Sequence, residues 1–132
     1  MKKVILLLIL ITFSLSSCKK LLGDKEDTIA VINLYDRNNH LLSGWKVYAF
    51  TDEHFQLYGA DRQWADKTVV TNNSGTAKFI LNDINGLFDH KRQETIVFYV
   101  FYTIGTNSTV YQSGISITFE EGDRKIGDLH LN

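Results

Sequence analysis

Glu94-Thr95-Ile96-Val97-Phe98-Tyr99-Val100-Phe101-Tyr102-Thr103 is the stretch that decides the fold. From Ile96 to Tyr102 every residue is β-branched or aromatic, the side chains that fit a pleated strand best. Successive side chains of a strand point to opposite faces, so a run without polar interruption is apolar on both. That composition predicts a central strand covered on its two sides.

Shorter strands surround it. Upstream, Lys67 to Thr71 and Thr76 to Leu81 flank Asn72-Asn73-Ser74-Gly75. Asn and Gly tolerate the positive φ angles of tight turns, so this tetrad predicts a β-hairpin. Further back, Ala30, Ile32 and Leu34 alternate with Val31, Asn33 and Tyr35, and Asp36-Arg37-Asn38-Asn39 ends that run. Gly44 opens another, in which Trp45, Val47 and Ala49 alternate with Lys46, Tyr48 and Phe50; Trp45 is expected in the core. Downstream, Gly105 to Ser108 turns the chain into a strand from Thr109 to Phe119, with Gly114 expected to mark a bulge. Glu120-Glu121-Gly122-Asp123 makes the last turn before Ile126 to Leu131, with Leu129 and Leu131 inward. Residues 51–66 form a long connection with room for a short strand or helical turn, and residues 82–92 a loop with Leu87 and Phe88 as core plugs. About seven or eight short strands without a helical period predict an all-β, antiparallel β-sandwich. A closed barrel has the same period.

The N-terminus carries a different signal. Lys2 and Lys3 precede an unbroken apolar segment from Val4 to Ile11, which tapers through small and polar residues to Leu15-Ser16-Ser17-Cys18. That order is a secretory signal, and its last four residues resemble a bacterial lipobox. Cleavage before Cys18 and fatty acylation (palmitate or a similar chain) of its thiol are therefore expected. The apolar segment is far shorter than the roughly 20 residues that span a bilayer. Cys18 is the only cysteine of the chain, and an unpaired exported thiol would otherwise be a liability. The expected organisation is a cleaved signal peptide over 1–17, a lipid-anchored tether over 18–27 and a β-sandwich domain over 28–132.

Loss of Lys2 and Lys3 with the leader takes the 14 basic residues to 12 against 15 acidic ones, a net charge of −3. Nucleic acid is then excluded as a partner, because that affinity rests on Lys and Arg neutralising phosphates. No disulfide can staple the fold, and the chain contains no proline, so its turns rest on Gly, Asn, Asp and Ser.

Three stretches together resemble a known family. Ile32-Asn33-Leu34-Tyr35-Asp36 leads through Leu42-Ser43-Gly44 to Val47-Tyr48-Ala49-Phe50. Val70-Thr71-Asn72-Asn73-Ser74-Gly75-Thr76-Ala77-Lys78-Phe79 follows, and Gly127-Asp128-Leu129-His130-Leu131 comes last. The order is similar to the transthyretin-like and carboxypeptidase-regulatory-like (prealbumin-like) β-sandwiches. The resemblance covers nearly all of residues 28–132 and implies a Greek-key, transthyretin-like/Ig-like sandwich. It also implies a small lipoprotein of the Gram-negative cell envelope. Lys19 rather than Asp follows Cys18, so the outer membrane is the expected address, on either its periplasmic or its surface face. Relatives that hydrolyse isourate compounds carry a Tyr-Arg-Gly-Ser end, where this chain has His130-Leu131-Asn132, so that activity is not implied. Adhesin relatives crosslink a first-strand lysine to a late asparagine, and Thr28 to Asp36 holds no lysine.

Reactive groups do not converge in the sequence. His40, His54, His90 and His130 stand far apart and at no metal-ligand spacing, so no metal or other cofactor is expected. No Gly-x-Ser-x-Gly elbow occurs, and the single thiol is committed to lipid. Asp61 and Asp66 flank Trp64, and Asp83 and Asp89 flank Leu87; such pairs could serve as acid and base or bind calcium, but solvated loop charges are the ordinary outcome. Phe55, Tyr58 and Trp64 in the 51–66 connection are the candidate partner or glycan contacts. The ordinary outcome for such rings, and the expected one, is that they fold back over one end of the sandwich. Asp27-Thr28-Ile29 fits an O-glycosylation acceptor pattern at what reads as an accessible tether edge. The expected function is a non-enzymatic, lipid-anchored binding or structural module presenting loops to a protein or glycan. Two alternatives stand beside it: a loop-based hydrolase or metal-dependent enzyme using His54, Asp61 and Asp66, and an inhibitor of an incoming hydrolase acting through residues 82–93.

Overall fold

The computed structural model describes residues 26–132; the signal segment, Cys18 and most of the tether lie outside the described residues. Among the described residues seven strands form two sheets. The smaller has the order β4-β1-β7, with β1 over Ile29–Tyr35, β4 over Thr76–Ile80 and β7 over Arg124–His130. The larger has the order β3-β2-β5-β6, with β2 over Lys46–Thr51, β3 over Lys67–Val70, β5 over Gln93–Thr103 and β6 over Val110–Glu120. The expected all-β sandwich is thus observed. One pair departs from the antiparallel rule: β7, the last strand, lies parallel to β1, in register from Ile29↔Arg124 to Tyr35↔His130.

The alternation read in the sequence sets the core. Ala30, Ile32, Leu34, Ala77, Phe79 and Leu129 of the small sheet face Val47, Ala49, Ile96, Phe98, Val100 and Phe119 of the large one, all fully buried. Phe98 is the hub, edge-on to Phe79 at 5.2 Å and to Phe119 at 6.5 Å between ring centroids. Trp45 is half-buried against this core just before β2 begins. Leu81, Ile84 and Leu87 plug one end, with Phe88 half-buried beside them. Those apolar residues pin the 82–92 segment to the core, while its polar residues stay exposed.

The run that decided the fold is the central part of β5, paired to β2 on one side and β6 on the other. β5 and β6 pair without interruption from Gln93↔Glu120 to Thr103↔Val110, and Gly114 sits in regular register opposite Tyr99. The expected bulge is absent. Glycine is there for space: a Cβ would come within 2.6 Å of the Tyr99 ring, which lies over the strand at that point.

The Asn72–Gly75 tetrad does turn tightly, with Asn72 Oδ1 accepting from the Ser74 and Thr76 amides and Gly75 at φ +70°. It is not a hairpin, however. β3 pairs only with β2 and β4 only with β1, so the turn carries the chain from one sheet to the other. Thr71, almost fully buried, makes the corner, donating its hydroxyl to the Leu42 carbonyl and accepting from the Trp45 amide. Turn propensity specifies that the chain reverses; it does not specify which edge each flank finds.

Thr28 lies just before β1 and is fully buried. Its hydroxyl accepts from the Gly122 amide at 2.7 Å, and its own amide donates to Asn82 Oδ1 at 2.6 Å. An O-linked sugar has no access to that oxygen, so the expectation of an accessible acceptor at Asp27-Thr28-Ile29 is corrected.

Candidate functional site

The 51–66 connection is mostly helical: α1 spans Asp52–Tyr58 and a single 3-10 turn spans Arg62–Trp64. Seven residues are too few to show a helical period, which is why the sequence pattern reads as irregular. Its ends are well marked. Thr51 caps the start by accepting from the His54 amide, Asp52 and Glu53 occupy the favourable first turn, and Gly59 closes the end at φ +67°. Asp61 accepts from the Gln63 amide and so caps the 3-10 turn.

Asp66 ties the two ends of this connection together. One carboxylate oxygen accepts from the Thr51 amide at 2.7 Å, and the other lies 2.7 Å from His54 Nδ1 without a directed hydrogen bond. Nearby, Glu94 is buried and paired with Lys91 at 3.3 Å. His54, Asp66, Lys91 and Glu94 all border a cleft of about 120 Å³, whereas Asp61 lies outside its lining. Among the described residues no group of three or more His, Cys, Asp or Glu side chains is placed to hold a metal ion. Asp83 is engaged by the Lys67 ammonium, which also donates to the Ile80 carbonyl at 3.1 Å. His40 sits against Asp36 in the turn after β1, and His130 stacks on Tyr35 at 4.8 Å.

The three candidate rings separate. Phe55 turns down onto the large sheet, stacked on Tyr99 at 5.6 Å and tilted against Phe50 at 6.3 Å. This explains why Phe50, on the outer face of β2, is fully buried. Tyr58 and Trp64 instead stack on each other, 4.1 Å apart and 9° from parallel, and remain 44% and 42% exposed. Leu57 beside them is 65% exposed. Each ring of that pair covers one face of the other, and His54 lies against Tyr58 at 6.1 Å between ring centroids.

Sequence reasoning missed the rest of this surface. The outer face of the large sheet continues as Tyr99, Phe101 and Tyr48, with Phe101 edge-on to Tyr48 at 5.4 Å. Arg62 lays its guanidinium over Phe101, 5.3 Å from the ring centroid. The signal was present in the Ile96–Tyr102 run: its outward-facing half, Val97, Tyr99 and Phe101, is as apolar as its inward half.

No family model matches the chain, and no curated protein matches it. Among solved structures, the SpaB basal pilin from Lactobacillus rhamnosus GG aligns with 79% of this chain and 94% of its own, at 18% identity and a TM-score of 0.44. That likeness is too distant to bear on activity.

Proposed function

We propose that this protein is a non-enzymatic binding or structural module of the cell envelope, transthyretin-like in build and held to a membrane, the outer one by resemblance, through lipid on Cys18. The observation that carries the binding reading is the Tyr58–Trp64 stack. Two large rings are held parallel by α1 and the 3-10 turn, yet stay substantially exposed. Paired rigid aromatics give contact area at little cost in side-chain entropy, as anchors for a protein or a sugar do. The anchoring reading rests on the signal-and-lipobox order of residues 1–18.

Replacing Tyr58 and Trp64 together with Ala tests the site. Capture of a partner or glycan held by this stack should be lost while the melting temperature stays within about 3 °C. A large drop in melting temperature would assign the pair to the core. Intact-mass analysis of membrane-extracted protein tests the anchor, which is wrong if residues 1–17 are still attached and the thiol is bare.

The His54–Asp66 contact favours, in part, the second reading of a loop-based hydrolase or metal-dependent enzyme. The Asp66 oxygen on the Thr51 amide and the cap made by Thr51 are accounted for by anchoring α1. His54→Gln separates the readings: a module keeps its binding, whereas an enzyme loses turnover on any substrate found for it.

A further inference from the structure

Next to the exposed stack lies an open cleft of about 390 Å³ on the outer face of the large sheet, lined by Gly44, Trp45, Lys46, Tyr48, Arg62 and Phe101. Three of these are aromatic, two are cations, and none is acidic. The topology brings them together from three separate segments. Lys46 and Tyr48 share the outer face of β2, Phe101 stands on β5, and the 3-10 turn lowers Arg62 onto it.

Neither cation has an acidic partner among the described residues, as is also true of Lys78, Arg92 and Arg124. Lys67, Lys91 and Lys125 each meet a carboxylate. Among the described residues, no ion pair or side-chain hydrogen bond engages Lys46, and Arg62 has only the Phe101 ring beneath it. A guanidinium stacked on a ring keeps its N–H edge free, and that edge matches a carboxylate in two parallel hydrogen bonds. The stack also fixes the guanidinium, so less side-chain entropy is lost when an anion arrives. A protein with a net negative charge repels polyanions, and two cations are too few to hold a nucleic-acid backbone. They suit one or two isolated anionic groups.

We propose that this cleft binds an acidic sugar, a uronate or another carboxylate-bearing residue of a glycan, with Arg62 and Lys46 on the carboxylate and Tyr48 against the ring. A pyranose presents a C–H face that packs on an aromatic side chain and hydroxyls that stay hydrated, which fits an open cleft of mainly polar lining with aromatic side chains in it. The corner geometry agrees: Tyr48 and Phe101 meet at 73°, giving a wall and a floor in place of a flat slot for a planar ligand. The proposal deepens the binding-module reading by naming a ligand class for the surface beside the Tyr58–Trp64 stack, and shares no residue with that stack.

The experiment uses the full-length lipoprotein solubilised in detergent, titrated with tri-galacturonate and with neutral galactotriose, read by tryptophan fluorescence and by calorimetry. Tri-galacturonate is expected to bind at least about tenfold tighter than the neutral trisaccharide, with affinity falling as salt rises. Arg62→Gln should weaken tri-galacturonate binding about tenfold or more while leaving the melting temperature unchanged, and Lys46→Gln should weaken it less. The Tyr58→Ala/Trp64→Ala protein should bind as the native one does. Equal binding of acidic and neutral sugars, no binding of either, or an unaltered Arg62→Gln affinity overturns the proposal. Displacement of the sugar by equimolar inorganic phosphate also overturns it, since that result describes a bare anion site. If tri-galacturonate fails while the native protein still captures a partner through Tyr58 and Trp64, only the ligand class falls; partner capture that survives Tyr58→Ala/Trp64→Ala leaves the cleft and removes the stack as an anchor.

Discussion

On the outer face of the small sheet, neighbouring side chains hydrogen-bond across the strands in solvent. Asn33 donates to Asp128 at 3.1 Å and accepts from Thr76 at 2.9 Å, and Tyr35 lies flat on His130. Ile126 on the same face is 67% exposed. The outer face of the large sheet carries rings instead, with α1 packed over part of them, so that Phe50 is as buried as any core residue. The two sheets share one apolar interior and differ only outside it. A sheet face that keeps aromatic residues after its core is satisfied has something else to cover, here a helix at one end and an open cleft at the other.

Four substitutions sharpen that contrast. The largest effect is expected from Gly114→Val, because the new side chain must displace the Tyr99 ring and the rings stacked with it. Overpacking of this kind costs about 1–3 kcal/mol, measurable by urea unfolding. A native-like midpoint would show that Tyr99 moves freely and that the large sheet's outer face is not packed. Phe55→Ala removes the half-buried ring that holds α1 on Phe50 and Tyr99, and should cost about 1–2 kcal/mol. Faster amide exchange confined to residues 52–58 would accompany it; uniform destabilisation would contradict a locally docked helix.

Ile126→Ser on the small sheet's outer face is expected to stay within about 0.5 kcal/mol of the native protein, the usual range for an exposed position. A loss comparable to that of Phe55→Ala would mean that this face, too, is covered. The smallest effect concerns the turn after β1. The backbone amides of His40 and Asn38 donate to Asp36 and hold its carboxyl below the ordinary carboxylate range, with His40 the larger influence. A carboxylate with a depressed folded pKa adds stability above its unfolded value, lost as pH falls through the folded one. Asp36→Ala should therefore lower the melting temperature slightly at pH 7, with the difference vanishing as pH falls through the depressed folded pKa. A gap that widens on acidification would reverse the sign and reject the argument.

Much of the scaffold was legible because alternation is a local property. Ala30, Ile32, Leu34, Val47, Ala49 and Leu129 occupy the core positions their pattern assigns. The candidate rings were found by composition, and their separation into a docked Phe55 and an exposed Tyr58–Trp64 pair was not, since three rings in one connection carry no sign of which folds down. Lys46 and Tyr48 were passed over because neither is unusual where it stands in the chain; they form a group with Arg62 only when β2, β5 and the 3-10 turn meet.

The sequence by itself determined the strands, their buried faces, the tight turn at Asn72–Gly75 and the expectation of export and acylation at Cys18. Tertiary structure decided which edges those strands found: the turn at Asn72–Gly75 bridges two sheets, the last strand lies parallel to the first, and Thr28 is sealed beneath Gly122. The reason is range. Side-chain alternation and turn chemistry act over a few residues, whereas strand partnership and the closing of a cleft depend on groups dozens of positions apart, whose meeting is set by burial of the whole core.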